Sequence, residues 1–181
     1  MEALPAVVRT APAARKLKTP DETFAPKVRT SSRPTADEIT ELHTWGWKME
    51  TSLQPVLEDH LGESLVKTAR RYDSVDFLGS RYQVELKCRR AKDKYGNRVV
   101  NDTYGDWLVP ETKIVAAKRN TQMRSTIFYY FEGDETLWQI WVDEIDWSKI
   151  PCFVPGHHTE YHYHIPRELW TKVEGDYGLP W

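Results

Sequence analysis

The chain has 181 residues, 29 % of them charged and 40 % hydrophobic, with a formal net charge of −2. That balance fits one soluble domain with a real core and excludes a generic nucleic-acid coat, which needs strong positive charge throughout. No apolar run approaches the roughly 18–20 residues of a membrane span, and the start of the chain lacks the compact apolar stretch of a secretory signal.

Residues 1–34 carry seven Lys/Arg, three Asp/Glu and five prolines. They read as an extended arm, a candidate tether to a protein assembly. The arm is poor in acids, as a transit peptide is, but its prolines argue against a presequence helix. Residues 35–131 are nearly neutral, with fifteen Lys/Arg and fourteen Asp/Glu, and residues 132–181 are acidic, with three and ten. A polyanion would meet the first part of the chain and avoid the last. The two cysteines, Cys88 and Cys152, give no disulfide framework, so a reducing, cytoplasmic setting is expected.

The folded part, 35–181, opens on a helix. Thr35 and Glu38 have capping-box spacing, and Ile39, Leu42, Trp45, Met49 and Leu53 follow at helical intervals. Pro55 either kinks this helix or opens a second one running to Gly62. Two or three strands come next, with Gly79-Ser80 as a two-residue hairpin turn. Residues 89–107 are polar and read as a long loop. Pro110 and Glu111 start a second helix through Met123. STIFYYFEG and TLWQIWVDE are strands joined by Gly133-Asp134-Glu135. The segment from His158 to Glu174 reads as one strand and a short helix. Helix, strands, helix and strands make one mixed α/β domain.

Chemistry concentrates in the hairpin. With Gly79-Ser80 as the turn, Asp76 faces Gln83, and Asp76, Gln83, Glu85 and Lys87 share one face. Val75, Phe77, Val84 and Leu86 share the other and enter the core. Two carboxylates that close repel unless a hard divalent cation lies between them. Asp76 and Glu85 are therefore candidate metal ligands for Mg²⁺ or Mn²⁺, and Lys87 sits beside the water and phosphate such a cation would bind. Asp73 is the rival of Asp76, because a one-residue change of loop length would bring it onto this face instead. A solvated strand face with a plain cross-strand ion pair is the structural reading of the same residues.

Asp76 followed by Glu85-Leu86-Lys87 on the next strand resembles the core motif of the PD-(D/E)XK nuclease superfamily, in particular its small stand-alone members from phages and large DNA viruses. The resemblance spans roughly 50–165. Val75 stands where the superfamily is named for a proline. It implies a restriction-endonuclease-like fold, a mixed central sheet flanked by helices, and a Mg²⁺- or Mn²⁺-dependent deoxyribonuclease whose products carry a 5′-phosphate. The backbone carbonyl of Leu86 becomes a further metal ligand, Glu50 an additional catalytic acid (with Glu41 or Glu38 as substitutes), and Lys113 the basic residue of the later helix. Arg89, Lys92, Lys94, Lys113 and Lys118 become candidate DNA contacts.

A nuclease-like fold serving as a structural or assembly protein, in a virion or complex and tethered by residues 1–34, is the second reading. A nucleic-acid-binding module whose metal site does not turn over is the third. Host cytoplasm or virion are the corresponding locations. Nothing in the sequence fixes the oligomeric state, although relatives that cut two strands often dimerise. Cys152 with His157, His158, His162 and His164 lacks any zinc spacing, and these histidines read as surface or core-edge groups.

Overall fold

The computed structural model describes residues 35–68, 75–93, 95–155, 159–175 and 177. The expected arm, Asp73, Lys94, His157 and His158 lie outside them.

The elements in chain order are α1 (Ala36–Leu61), β1 (Val66–Lys67), β2 (Phe77–Leu78), β3 (Tyr82–Arg89), β4 (Asp106–Pro110), α2 (Glu111–Arg119), β5 (Arg124–Phe131), β6 (Thr136–Trp141), β7 (Cys152–Phe153), β8 (His162–Pro166) and β9 (Thr171–Val173). A mixed six-stranded sheet has the order β1-β2-β3-β5-β6-β9. All its pairings are antiparallel except β3 with β5. Parallel neighbours need a long crossover, and here residues 90–123, with β4 and α2, supply it. A second, antiparallel sheet has the order β4-β8-β7. The domain is the mixed α/β type expected.

Helix α1 begins at the expected capping box: the Glu38 amide donates to Thr35 Oγ1 at 3.2 Å, and the Thr35 amide donates to Glu38 Oε2 at 2.6 Å. It ends at Gly62, whose φ of 65° needs a residue without Cβ strain. The helix runs through Pro55 to Leu61 as one element. Met49, Leu53, Leu57 and Leu61 bury its inner stripe. The apolar stripe also includes Ile39 and Leu42, but both are exposed, because among the described residues the core reaches α1 only from Trp45 onward.

Strand β5 lies between β3 and β6 in the six-stranded sheet. Phe128 and Tyr130 enter a core layer with the α1 leucines, Phe77, Val84 and Leu86. Ile127, Tyr129 and Phe131 enter the opposite layer with Trp107 and Val109 of β4, Ile114 and Ala117 of α2, and Ile165 of β8. A strand buried on both faces reads as a continuous apolar run, as FYYF does.

Four expectations need correction. The hairpin register pairs Phe77 with Val84 and Leu78 with Gln83, and Gly79 donates to the Tyr82 carbonyl, so Ser80-Arg81 is the turn. Helix α2 stops at Arg119 rather than Met123. The long loop is structured: Lys92 bridges Arg98, Val99 is buried, and β4 begins at Asp106. Its approach to the β5–β6 turn is so close that a Cβ on Gly133 would meet the Val99 carbonyl oxygen at 1.9 Å. Finally, the C-terminal segment makes only a 3₁₀ turn at Arg167–Leu169 and then β9, which pairs along β6.

Candidate active site

The shifted turn leaves the faces of β3 intact. Pairing partners move by two residues, and side chains alternate with a period of two, so no residue of β3 changes side, whereas Val75, expected beside Val84 and Leu86, lines a surface pocket with Gln83 and Ala116 instead. Val84 and Leu86 pack toward α1, while Gln83 reaches α2, its Nε2 donating to the Ala117 carbonyl at 2.9 Å. Glu85 lies on that same side, and its side chain is only 4 % exposed.

Asp76 is placed by a local irregularity. Its amide donates to the Val84 carbonyl at 2.9 Å, although Val84 is already the partner of Phe77. Two residues against one is a β-bulge, a device that re-aims a side chain. The Asp76 carboxylate turns to β3 and accepts the Leu86 amide at 2.7 Å. Burial pushes this carboxyl up to about 7, the Glu85 charge adds to the shift, the Leu86 amide opposes it, and Glu50 raises it further.

Glu85 is the hub of the cations. Its Oε1 lies 2.9 Å from Lys87 Nζ and its Oε2 2.9 Å from Lys113 Nζ. The second contact satisfies charge but not hydrogen-bond geometry, so Oε2 is a buried acceptor without a hydrogen-bond partner. Burial pulls the Lys87 ammonium down, but the carboxylates of Glu85 and then Asp76 outweigh it and hold the group above its ordinary range. Lys113 comes from α2, so the helix following the hairpin closes the site from the other side.

Glu50, one helical turn past Trp47 on α1, pairs with Lys67 Nζ at 2.6 Å. Its charge reaches Asp76, as the raised carboxyl records. Lys67 escaped the sequence reading. It lies on a two-residue strand, too short for any alternation to reveal which way a side chain is aimed.

The remaining candidates are scattered. Arg89 donates through Nε to Tyr129 Oη at 2.8 Å and sits at the exposed end of β3. Lys92 is on the exposed loop. Lys118 lies over the Trp147 ring at 5.1 Å, away from the acids, in a surface cleft with Asp143 and Asp146. Of the substitutes for Glu50, Glu41 pairs with Arg90 and Glu38 caps α1. His162 is buried with Nδ1 3.0 Å from the Glu160 carbonyl oxygen, and His164 stacks on Phe153.

Among the described residues no three His, Cys, Asp or Glu side chains form a ready metal cage. Two carboxylates close enough to interact, one with a buried orphan oxygen, still fit a hard cation that keeps several waters, which is how Mg²⁺ is commonly held. Asp76 and Glu85 are chemically suited to that role. Glu85 is held by cations and Asp76 by an amide, so each carboxylate is fixed in place.

No helix among the described residues is long and apolar enough to cross a membrane. No protein-family model matches the chain, and no curated protein matches it at a significant level. Among solved structures the chain is similar to a nuclease from a fusselovirus, at 18 % identity and a TM-score of 0.43, over 78 % of this chain and 89 % of that one.

Proposed function

We propose that the protein is a metal-dependent deoxyribonuclease of PD-(D/E)XK type, with a restriction-endonuclease-like core, that hydrolyses DNA phosphodiester bonds by direct attack of water. The observation that carries this reading is the convergence of Asp76, Glu85 and Lys87 at one bulged hairpin, with Lys113 brought in from α2. Asp76, Glu85 and the Leu86 carbonyl would hold Mg²⁺ or Mn²⁺, with Glu50 as an outer acid. A bound divalent cation supplies positive charge to the phosphate and makes a water more acidic. Lys87 orients the attacking water and offsets charge on the phosphate. Lys113 neutralises Glu85 from the helix side and, with Arg89 at the strand end, offers phosphate contacts. No covalent intermediate is needed.

A second reading is favoured by a specific balance. Glu85 and Glu50 are already matched by Lys87, Lys113 and Lys67, so the charges could be architectural in a nuclease-fold assembly protein. One experiment separates the two. Supercoiled plasmid and a branched junction are incubated with Mg²⁺, Mn²⁺ or EDTA, using wild type, Lys87→Ala and Glu85→Ala. The nuclease reading expects cleavage that needs metal and vanishes in both variants. A folded wild type that cuts neither of these substrates, nor a single strand, under any condition favours the architectural role.

A further inference from the structure

The first half of α1 contains the sequence Trp45-Gly46-Trp47, separated from Met49 and Glu50 by Lys48 alone. Glycine inside a helix is destabilising relative to almost any other residue. Packing does not require it here, since a Cβ added to Gly46 would meet nothing within 4 Å. Successive helical residues turn by about 100°, so the two indoles diverge to either side of the bare glycine. Each indole carries a cation: Lys67 Nζ lies 3.7 Å from the Trp47 ring centroid, and the Arg90 guanidinium 5.2 Å from that of Trp45. Trp47 is nonetheless 54 % exposed, and Ile39 and Leu42 of the same half-helix are exposed too.

This open notch adjoins the acids. The same Lys67 ammonium that sits on Trp47 is 2.6 Å from Glu50 Oε2, and Glu50 in turn acts on Asp76. A cation–π contact alone would explain Lys67 but not Gly46, where any helix former would serve a purely structural role better. An aromatic edge, an empty glycine floor and two flanking cations suit a flat aromatic ring attached to a phosphate. That is a nucleobase free of its pairing partner, since a base inside a duplex presents no open face for stacking.

Resting on the nuclease reading, we propose that the Trp45-Gly46-Trp47 turn seats an unpaired nucleobase next to the acids, so that the substrate is single-stranded DNA, whether a free strand, an overhang or a frayed end. Trp47 supplies the stacking surface, and Lys67 and Arg90, paired with Glu50 and Glu41 in the free protein, turn to the neighbouring phosphates when the strand binds. These are binding roles and not catalytic ones.

The test is fluorescence anisotropy in EDTA, where nothing is cut, using a labelled single strand and a labelled blunt duplex. The proteins are wild type, Trp47→Ala, Gly46→Ala and Gly46→Leu. Gly46→Leu fills the notch while raising helix propensity, so it stays folded and melts at or above the wild-type temperature. The expected result is tighter wild-type binding of the single strand, weakened roughly 5- to 100-fold by Trp47→Ala and by Gly46→Leu, with duplex binding unchanged and Gly46→Ala close to wild type. The idea is overturned if Gly46→Leu binds the single strand as wild type does, or if the variants lose both DNAs equally. Plasmid cleavage by a wild type with no single-strand preference sinks this inference alone. A wild type that binds neither DNA and cuts nothing sinks the nuclease reading with it.

Discussion

Two clusters of opposite charges in this protein use the same chemistry in different solvents. At the hairpin, Glu85 meets Lys87 and Lys113 with its carboxylate 4 % exposed. At the start of β5, Arg124 meets Asp143 at 2.9 Å and also Glu144, but those carboxylates are 56 % and 60 % exposed. Water screens the second cluster, so its net contribution is small. The first has lost its water and depends on its partners. A protein gains little stability from burying such a cluster compared with an apolar core of equal volume. The hairpin cluster is therefore the place where a functional explanation is called for, and the β5 cluster needs none.

The contrast breaks most visibly at Glu85. Glu85→Gln strands two ammonium groups in a nearly dry site. Removing one partner of a buried pair typically costs about 3–5 kcal/mol. Urea unfolding in EDTA should show a loss of unfolding free energy of that order, and the proposed metal-dependent cleavage should be lost with it. A variant as stable as wild type would mean that the site is wetter than its burial indicates.

Asp76 makes the buried cluster sensitive to pH. Its carboxyl is raised to about 7 in the folded chain, against a usual carboxylate value near 4. Between those values the folded state keeps a proton that the unfolded chain has lost. The Asp76 contribution is thus fully present below about pH 4, is lost as pH rises through about 7, and is constant above it. A tenfold difference in proton affinity between the two states is worth about 1.4 kcal/mol, so the change is on the order of a few kcal/mol. In metal-free buffer, Asp76→Asn should remove this slope and leave the protein more stable than wild type at pH 8. An unchanged slope would place the titrating group elsewhere.

The sequence made the hairpin legible because its chemistry obeys a period of two. Shifting the turn from Gly79-Ser80 to Ser80-Arg81 moved each partner by two and left Glu85, Lys87 and Arg89 on the expected side. The bulge at Asp76 was not legible, since a bulge shows itself only in which carbonyl an amide chooses. Lys67 was hidden for a related reason: two residues of strand carry no pattern. Ile39 and Leu42 continue the helical stripe, but periodicity does not record where the underlying core stops. The short strands β7 and β9 are fixed by pairing with β8 and β6, contacts far away in the chain that no local window contains.

The smallest effect belongs to the exposed cluster, and it tests the premise of the whole contrast. Arg124 also packs over the Trp141 ring, 3.8 Å from its centroid, so replacing it removes both an ion pair and a stacked surface. Arg124→Lys keeps the charge but loses the flat guanidinium, whereas Arg124→Met keeps apolar cover and loses the charge. If the exposed pairs are worth as little as water screening implies, Arg124→Met should cost no more than about 0.2–1 kcal/mol. The loss should shrink further in high salt, where the Debye length falls to about 3 Å at 1 M. Thermal melts of both variants at low and high salt would separate stacking from charge. A salt-independent loss in Arg124→Met equal to that of Glu85→Gln would show that exposure is a poor guide to what an ion pair contributes here, and burial would no longer single out the hairpin.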